Sequence, residues 1–381
     1  MGLVRGVSAR YNGLINTKVW YFPMIKIISL VLLSALCLGL LTGCNLGGNS
    51  NTRPMIDCLA RQVQVPEKVE SIVCVGVGAL RYTCYMDAED LVVGVEDCEK
   101  EPVISRLYNY VNIDKFRDLP IIGTNGNPYP EEIIKLAPDV VVMSKSASVS
   151  ADELQKKIGI PVVVVPGSDT TLDSNAYETL RILGELYGKQ DRTQVLTEYL
   201  QTIEGDLQKR VRDIPDSAKP SVYVGGVSYK GHHGFEGTEA GYGPLALIGA
   251  KNLADTTGQV GAFNIDLEQV LAWDPDVIFL DFNGMNLINE DYAKNPAFYN
   301  ALTAVQAGKV YSQISFRSNA SNLETALADA YYAATVIYPE QFKDVDPIAK
   351  AGEIFQTLLG TNPYEILKEN GYAFRPIQIG A

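Results

Sequence analysis

The chain has 381 residues, 46% of them hydrophobic and 20% charged, with a formal net charge of −13. This globular composition excludes a disordered or collagen-like chain, and the acidic balance argues against nucleic-acid binding, which needs clustered Lys and Arg. The only two histidines, His232 and His233, are adjacent, so a three-His metal site and any mechanism drawing one His from each of two lobes are excluded.

The first predicted element is a leader. Ile27–Leu41 is an apolar run of 15 residues after Lys26, too short to span a bilayer, and it ends in Leu41-Thr42-Gly43-Cys44. Residues 1–43 read as a secretory signal of the lipoprotein type, with Cys44 lipidated and Met24 a more usual start than Met1. That segment removes four basic residues and no acidic one, taking the net charge from −13 to −17. Residues 44–59 read as a lipid-anchored tether, which places the protein outside the cell membrane. Cys58, Cys74, Cys84 and Cys98 remain in the mature chain. They fit two disulfides in any of three pairings, or free buried thiols, better than zinc, because no C-x-x-C pair occurs and no His is near.

Short Val- and Ile-rich runs follow at Ile72–Gly76, Leu91–Val95, Val140–Ser144, Val162–Pro166, Ser221–Gly225, Val277–Asp281 and Val310–Ser312. They show little alternation, as strands buried on both faces do, and helical patterns lie between them. The fold class is therefore α/β. One unit repeats. Pro130-Glu131-Glu132-Ile133-Ile134-Lys135-Leu136-Ala137-Pro138-Asp139 matches Leu267-Glu268-Gln269-Val270-Leu271-Ala272-Trp273-Asp274-Pro275-Asp276, and each copy runs into an apolar strand. The repeat predicts two similar lobes with parallel-type sheets, an N-terminal one over 60–170 and a C-terminal one over 218–345. Between them, over 171–217, Leu196, Leu200, Ile203, Leu207 and Val211 set a helix of about 30 Å from Asp191 to Val211, a single long link that limits hinging. Residues 346–381 carry further helices, Ile348–Leu358 and Tyr364–Asn370.

The lipobox, the two E-x-[IV]-x-x-x-x-P-D units and the linking helix together resemble the substrate-binding lipoproteins of ABC importers for iron–siderophore, haem and cobalamin, the helical-backbone (TroA-like) class. The resemblance runs from Val69 to Phe342, through Val69–Val73, Leu91–Val95, Asp118–Gly123, Gly308–Tyr311 and the closing helix Ala326–Phe342. It implies a monomeric binder anchored to the membrane by lipid, an ABC permease dimer and a cytoplasmic ATPase as partners, no cofactor and no nucleic acid. The first-turn glutamates of the repeat, Glu131 and Glu268, match the family's permease-docking positions, with Glu132 a possible substitute for the first. The ligand implied is an iron(III) chelate, with cobalamin, haem, a nickel chelate and molybdate or tungstate as alternatives.

A two-lobe α/β binder holds its ligand in the cleft between the lobes, outside the carboxyl ends of its strands. The segments after the strands therefore supply the candidates. They are Arg81, Tyr82 and Tyr85 after the first strand; Tyr229, His232, His233, Glu236 and Tyr242 after Ser221–Gly225; and Arg317 after the last strand. Tyr229, His232 and His233 are the candidate metal ligands, and Arg81 and Arg317 the candidate anion contacts from opposite lobes. An enzyme on the same scaffold is the weaker alternative, since no nucleophile elbow, Walker loop or zinc-protease motif occurs. A receptor without a transporter is the other.

Overall fold

The computed structural model describes residues 51–167 and 171–380. The expected leader, the expected start at Met24 and the expected lipidation at Cys44 fall outside the described residues. Among the described residues, no helix is long and apolar enough to cross a membrane.

The first lobe opens with an antiparallel hairpin, β1 (Thr52–Ile56) and β2 (Gln62–Pro66), so residues 52–59 of the expected tether belong to the folded lobe. The lobe's main strands are β3 (Ile72–Val75), β4 (Val92–Glu96), β5 (Ile121–Thr124), β6 (Asn127–Pro128), β7 (Val140–Ser144) and β8 (Val162–Val165). They form one sheet in the order β6-β5-β4-β3-β7-β8, parallel except at β5–β6. Helices α1 (Ala79–Tyr85), α2 (Leu107–Phe116), α3 (Pro130–Leu136) and α4 (Ala151–Ile158) cover it. Every residue of β3, β7 and β8 is buried, which is why these runs lack alternation.

Helix α5 (Ser174–Tyr187) starts at Asp173, whose carboxylate accepts from the Asn175 and Ala176 N–H groups. The linking helix α6 (Gln190–Val211) follows. Its buried residues are Leu196, Leu200, Ile203, Leu207 and Val211, one stripe at helical spacing.

The second lobe contains β9 (Ser221–Gly225), β10 (Gly237–Ala240), α7 (Gly243–Leu247), β11 (Lys251–Asn252), β12 (Gly261–Asn264), α8 (Leu267–Trp273) and β13 (Val277–Asp281). After them come α9 (Met285–Lys294), α10 (Pro296–Ala301), α11 (Thr303–Gln306) and β14 (Val310–Gln313). Its parallel sheet runs β11-β9-β13-β14, and β10 pairs β12 as a separate antiparallel hairpin. Helices α12 (Leu323–Ile337), α13 (Pro347–Leu359) and α14 (Tyr364–Glu369) close the chain. The tail beyond α14 then covers the β14 edge, with Ser312 N–H donating to Arg375 O and Ile377 N–H to Val310 O.

The repeat has a physical cause. Asp139 accepts from the Glu70 and Ser71 N–H groups, and its own N–H donates to Ser71 Oγ at 3.0 Å. Asp276 does the same at Ser221, accepting from its N–H and hydroxyl while donating to Ser221 Oγ at 3.1 Å. Each Pro-Asp thus latches a new strand to the start of its sheet neighbour, β7 to β3 and β13 to β9. Ala137 and Asp274, just before the prolines, both take a left-handed conformation (φ 47° and 42°) that ends the helix and turns the chain. One continuous apolar core joins β3 and β4, α5, α6, α12 and α13, so the lobes share packing as well as a linking helix.

Candidate functional site

The carboxyl ends of β3, β7, β9 and β14 open onto one cleft between the lobes. A cavity of about 1020 Å³ lies there, lined by Val77 and Ser146 of the first lobe and by Ser228–Lys230, Glu239–Gly241, Arg317, Asn319 and Ala320 of the second. A smaller one of about 470 Å³ adjoins it and shares Ser228, Tyr229, Lys230, Arg317 and Asn319; its other walls include Val103–Ser105, His232, Asn283 and Tyr372.

The loop after β9 is shaped from inside. Phe235 is buried and its carbonyl accepts from Tyr223 Oη at 2.6 Å, which anchors the loop's far end. Gly226 takes φ 78°, and a Cβ there would meet Asp281 O at 3.0 Å. Between these points Tyr229 and His233 stack face to face, 4.0 Å between centroids. Tyr229 Oη donates to Asn264 Oδ1 and its carbonyl lies 2.9 Å from His233 Nε2. His233 is therefore engaged within its own loop, and Glu236 accepts from the Gly234 N–H. Neither lines the two cavities; Tyr229 and Lys230 line both, and His232 lines the smaller one. Lys230 is exposed and forms no ion pair among the described residues. Among the described residues no three His, Cys, Asp or Glu side chains converge as a metal centre.

Arg317 reaches the cleft but is already partnered. Its Nε donates to Glu239 Oε2 at 3.1 Å and its Nη2 to Oε1, so the guanidinium faces the cavity as half of an ion pair. Burial pushes the Glu239 carboxyl up despite Arg317, whose charge works in the opposite direction.

Four of the expected ligand contacts lie elsewhere. Arg81, Tyr82, Tyr85 and Tyr242 are at most 1% exposed and line neither cavity. The physical reason is that all seven residues of α1 are buried: the helix packs against α2, α5, α13 and β3 and hydrogen-bonds to the start of α12 and the loop before it. Arg81 donates to Asn322 Oδ1 and to the carbonyls of Ser318, Asn319 and Ser321, and its guanidinium lies 5.1 Å from the Tyr108 ring centroid. Tyr85 Oη donates to Glu324 and accepts from Leu323 N–H. Tyr242 sits edge-on to Phe316. Arg81 thus holds, from behind, the loop whose Asn319 and Ala320 line the cleft in left-handed conformations (φ 51° and 63°).

The residues missed by sequence reasoning are Lys230, Ser146, Glu239, Asn283, Asn319 and Tyr372. Lys230 lies inside the glycine-rich loop that sequence reasoning did single out. Tyr372 had no sequence signal: it comes from the tail, where its hydroxyl donates to Asn283 Oδ1 at 2.7 Å. The four cysteines are free thiols, Cys74 and Cys84 fully buried. Burial pushes the Cys74 thiol up to about 12 and those of Cys58 and Cys98 up to about 11.

Glu131 and Glu268 are both exposed, in the first turns of α3 and α8. Glu132 pairs with Lys135 at 3.6 Å. Neither Glu131 nor Glu268 is in an ion pair among the described residues.

Two α/β lobes, a helical link and an open cleft at the strand ends define a two-lobe solute-binding protein. The family model described as periplasmic binding protein matches residues 85–313, and the chain belongs to that family. It is similar to the molybdate-binding protein MolA of Haemophilus influenzae, 22% identical over 330 residues that cover 81% of this chain and 92% of that protein. It is also similar to the Fe(3+)-citrate-binding protein YfmC of Bacillus subtilis, 24% identical over 224 residues, 58% of this chain and 65% of the relative. Among solved structures, the TroA-like periplasmic binding protein FepB from Veillonella parvula superposes with a TM-score of 0.63 at 20% identity, covering 81% of this chain and 97% of that one. At that identity the likeness establishes the fold. The fold is that of the TroA-like periplasmic binding proteins, and the role that the family description carries is solute binding.

Proposed function

We propose that this protein is the lipid-anchored capture component of an ABC importer and that it takes up an anionic metal chelate, an iron(III)–siderophore or a similar compound. The observation that carries this is the cleft. Its main cavity, about 1020 Å³, falls in the range of pockets that enclose drug-sized ligands and far exceeds what a bare tetrahedral oxyanion fills. Lys230, exposed on its wall, is in no ion pair among the described residues, whereas Arg317 is paired with Glu239; Glu204 also lines the cavity. Tyr229 and His232 contribute ring and hydrogen-bonding surface to the chelate's periphery rather than bonds to its metal. Binding is non-covalent and no chemistry follows. Cys44 carries the lipid, Glu131 and Glu268 dock on the permease, and a cytoplasmic ATPase drives release.

The test is titration of the mature protein with ferric siderophores, ferric citrate, haem, cobalamin, a nickel chelate and molybdate. A ferric chelate is expected to bind, and Lys230→Ala to weaken it at least tenfold, about 1.4 kcal/mol. Binding of molybdate with no response to any chelate would overturn the ligand class. Glu131→Lys with Glu268→Lys should abolish uptake and leave chelate affinity intact; lost affinity would refute the docking role.

A further inference from the structure

The two repeat helices match at more than their glutamates. Ile133 and Val270 match in register and are fully buried; at the next position Ile134 and Leu271 match and are 47% and 39% exposed. Single exposed apolar residues are common and need no explanation. Here, however, the same exception occurs at equivalent positions of two copies, each three residues after the exposed glutamate. Residues three apart share one face of a helix. Glu131 with Ile134, and Glu268 with Leu271, therefore form two equivalent patches, each one carboxylate beside one branched aliphatic side chain. Neither helix offers an unpaired cation to its glutamate: Lys135 is occupied by Glu132, and α8 carries no basic residue. Each helix leads by a Pro-Asp turn into the amino end of its strand and so runs antiparallel to it. Its first turn then lies toward the strands' carboxyl ends, on the cleft side of each lobe.

We propose that Ile134 and Leu271 are the apolar anchors of a two-point docking surface. Its partner is a two-fold symmetric membrane permease that offers, twice, a cation next to an apolar socket. The unpaired glutamates argue for the cation and the repeated aliphatic residue for the socket; the repeat itself argues for two-fold symmetry. Neither side chain belongs to an apolar core cluster, so each is available to a partner without unfolding anything. This rests on the importer reading above and adds what the ion pairs lack, a contact that salt does not screen.

The test uses the lipidated protein and its host's permease–ATPase complex in nanodiscs, with affinity measured at low and high salt. Ile134→Ser with Leu271→Ser is expected to weaken binding at least tenfold at both salt concentrations, with an unchanged melting temperature and chelate affinity. Glu131→Gln with Glu268→Gln is expected to weaken it mainly at low salt. If the serine variant binds like wild type while the glutamine variant does not, the apolar anchors are refuted and docking by the glutamates stands. If neither variant weakens binding, the importer-docking reading falls with the proposal.

Discussion

Replacing Asp281 by Asn is expected to remove most of one pH-dependent loss of stability. Asp281 ends β13 and is fully buried beneath the cleft. One carboxylate oxygen accepts from the Asn283 N–H at 3.0 Å and from the Ser315 hydroxyl; the other has no partner. Burial pushes the carboxyl from the usual 3.8 up to about 7, against the two hydrogen bonds that favour the anion. The folded state therefore holds this proton more tightly than the unfolded chain does. Its contribution is full below about pH 4 and is lost as pH rises through about 7, with no further loss above. Over pH 5 to 8 that amounts to about 3 kcal/mol, from about two pH units at 1.36 kcal/mol each. For a folded region of this size the same energy is about 4 °C in melting temperature.

The amide keeps the accepting oxygen toward Asn283 and Ser315 and cannot ionise. Its added N–H donors cost about 1–3 kcal/mol if unpaired, a loss that is the same at every pH. Other buried acids, Asp329, Glu324 and Glu96, are also pushed up by burial, so the wild-type profile alone does not isolate this group. The difference between Asp281→Asn and wild type does. Denaturant unfolding of both proteins at pH 5, 6, 7 and 8 is expected to show that difference growing in favour of the amide by about 3 kcal/mol. Parallel profiles across this range would refute the reasoning.

Substitutions at three further positions test the framework. Arg81→Met leaves the Ser318, Asn319 and Ser321 carbonyls and Asn322 Oδ1 without their buried partner, and is expected to cost about 3–5 kcal/mol in denaturant unfolding. Arg81→Lys should recover part of this at most, since one ammonium cannot span the four acceptors. Asp139→Ala and Asp276→Ala each remove a strand latch and are expected to cost about 1–2 kcal/mol. The latches lie in separate sheets, so in the double variant their effects should add to within about 0.5 kcal/mol; a strong departure would mean that they do not act independently.

The core strands were the most legible part of the chain because their burial left no face for polar residues. Val140–Ser144, Ser221–Gly225 and Val277–Asp281 coincide with β7, β9 and β13, and the linking helix begins one residue before its expected start. The hairpin β10–β12 was not legible. Gly237–Ala240 and Gly261–Asn264 have little intrinsic strand preference, and their pairing is set by the lobe around them. The β1–β2 hairpin was hidden for another reason, since part of it lies in a stretch whose polar start reads as tether.

The site divides along the same line. A glycine-rich loop directly after a buried strand announces itself, and Tyr229, Lys230 and His232 do line the cleft. Arg81 has the residue type of an anion contact and follows a strand, yet the structure uses it as an internal clamp. What separates the two roles is whether the next helix is covered on all sides, and that depends on residues 318–324, more than 230 positions away. The clamp still bears on binding. It fixes Asn319 and Ala320 on the cleft wall, in the loop that carries Arg317, so an arginine that lines neither cleft cavity helps set the shape of the larger one.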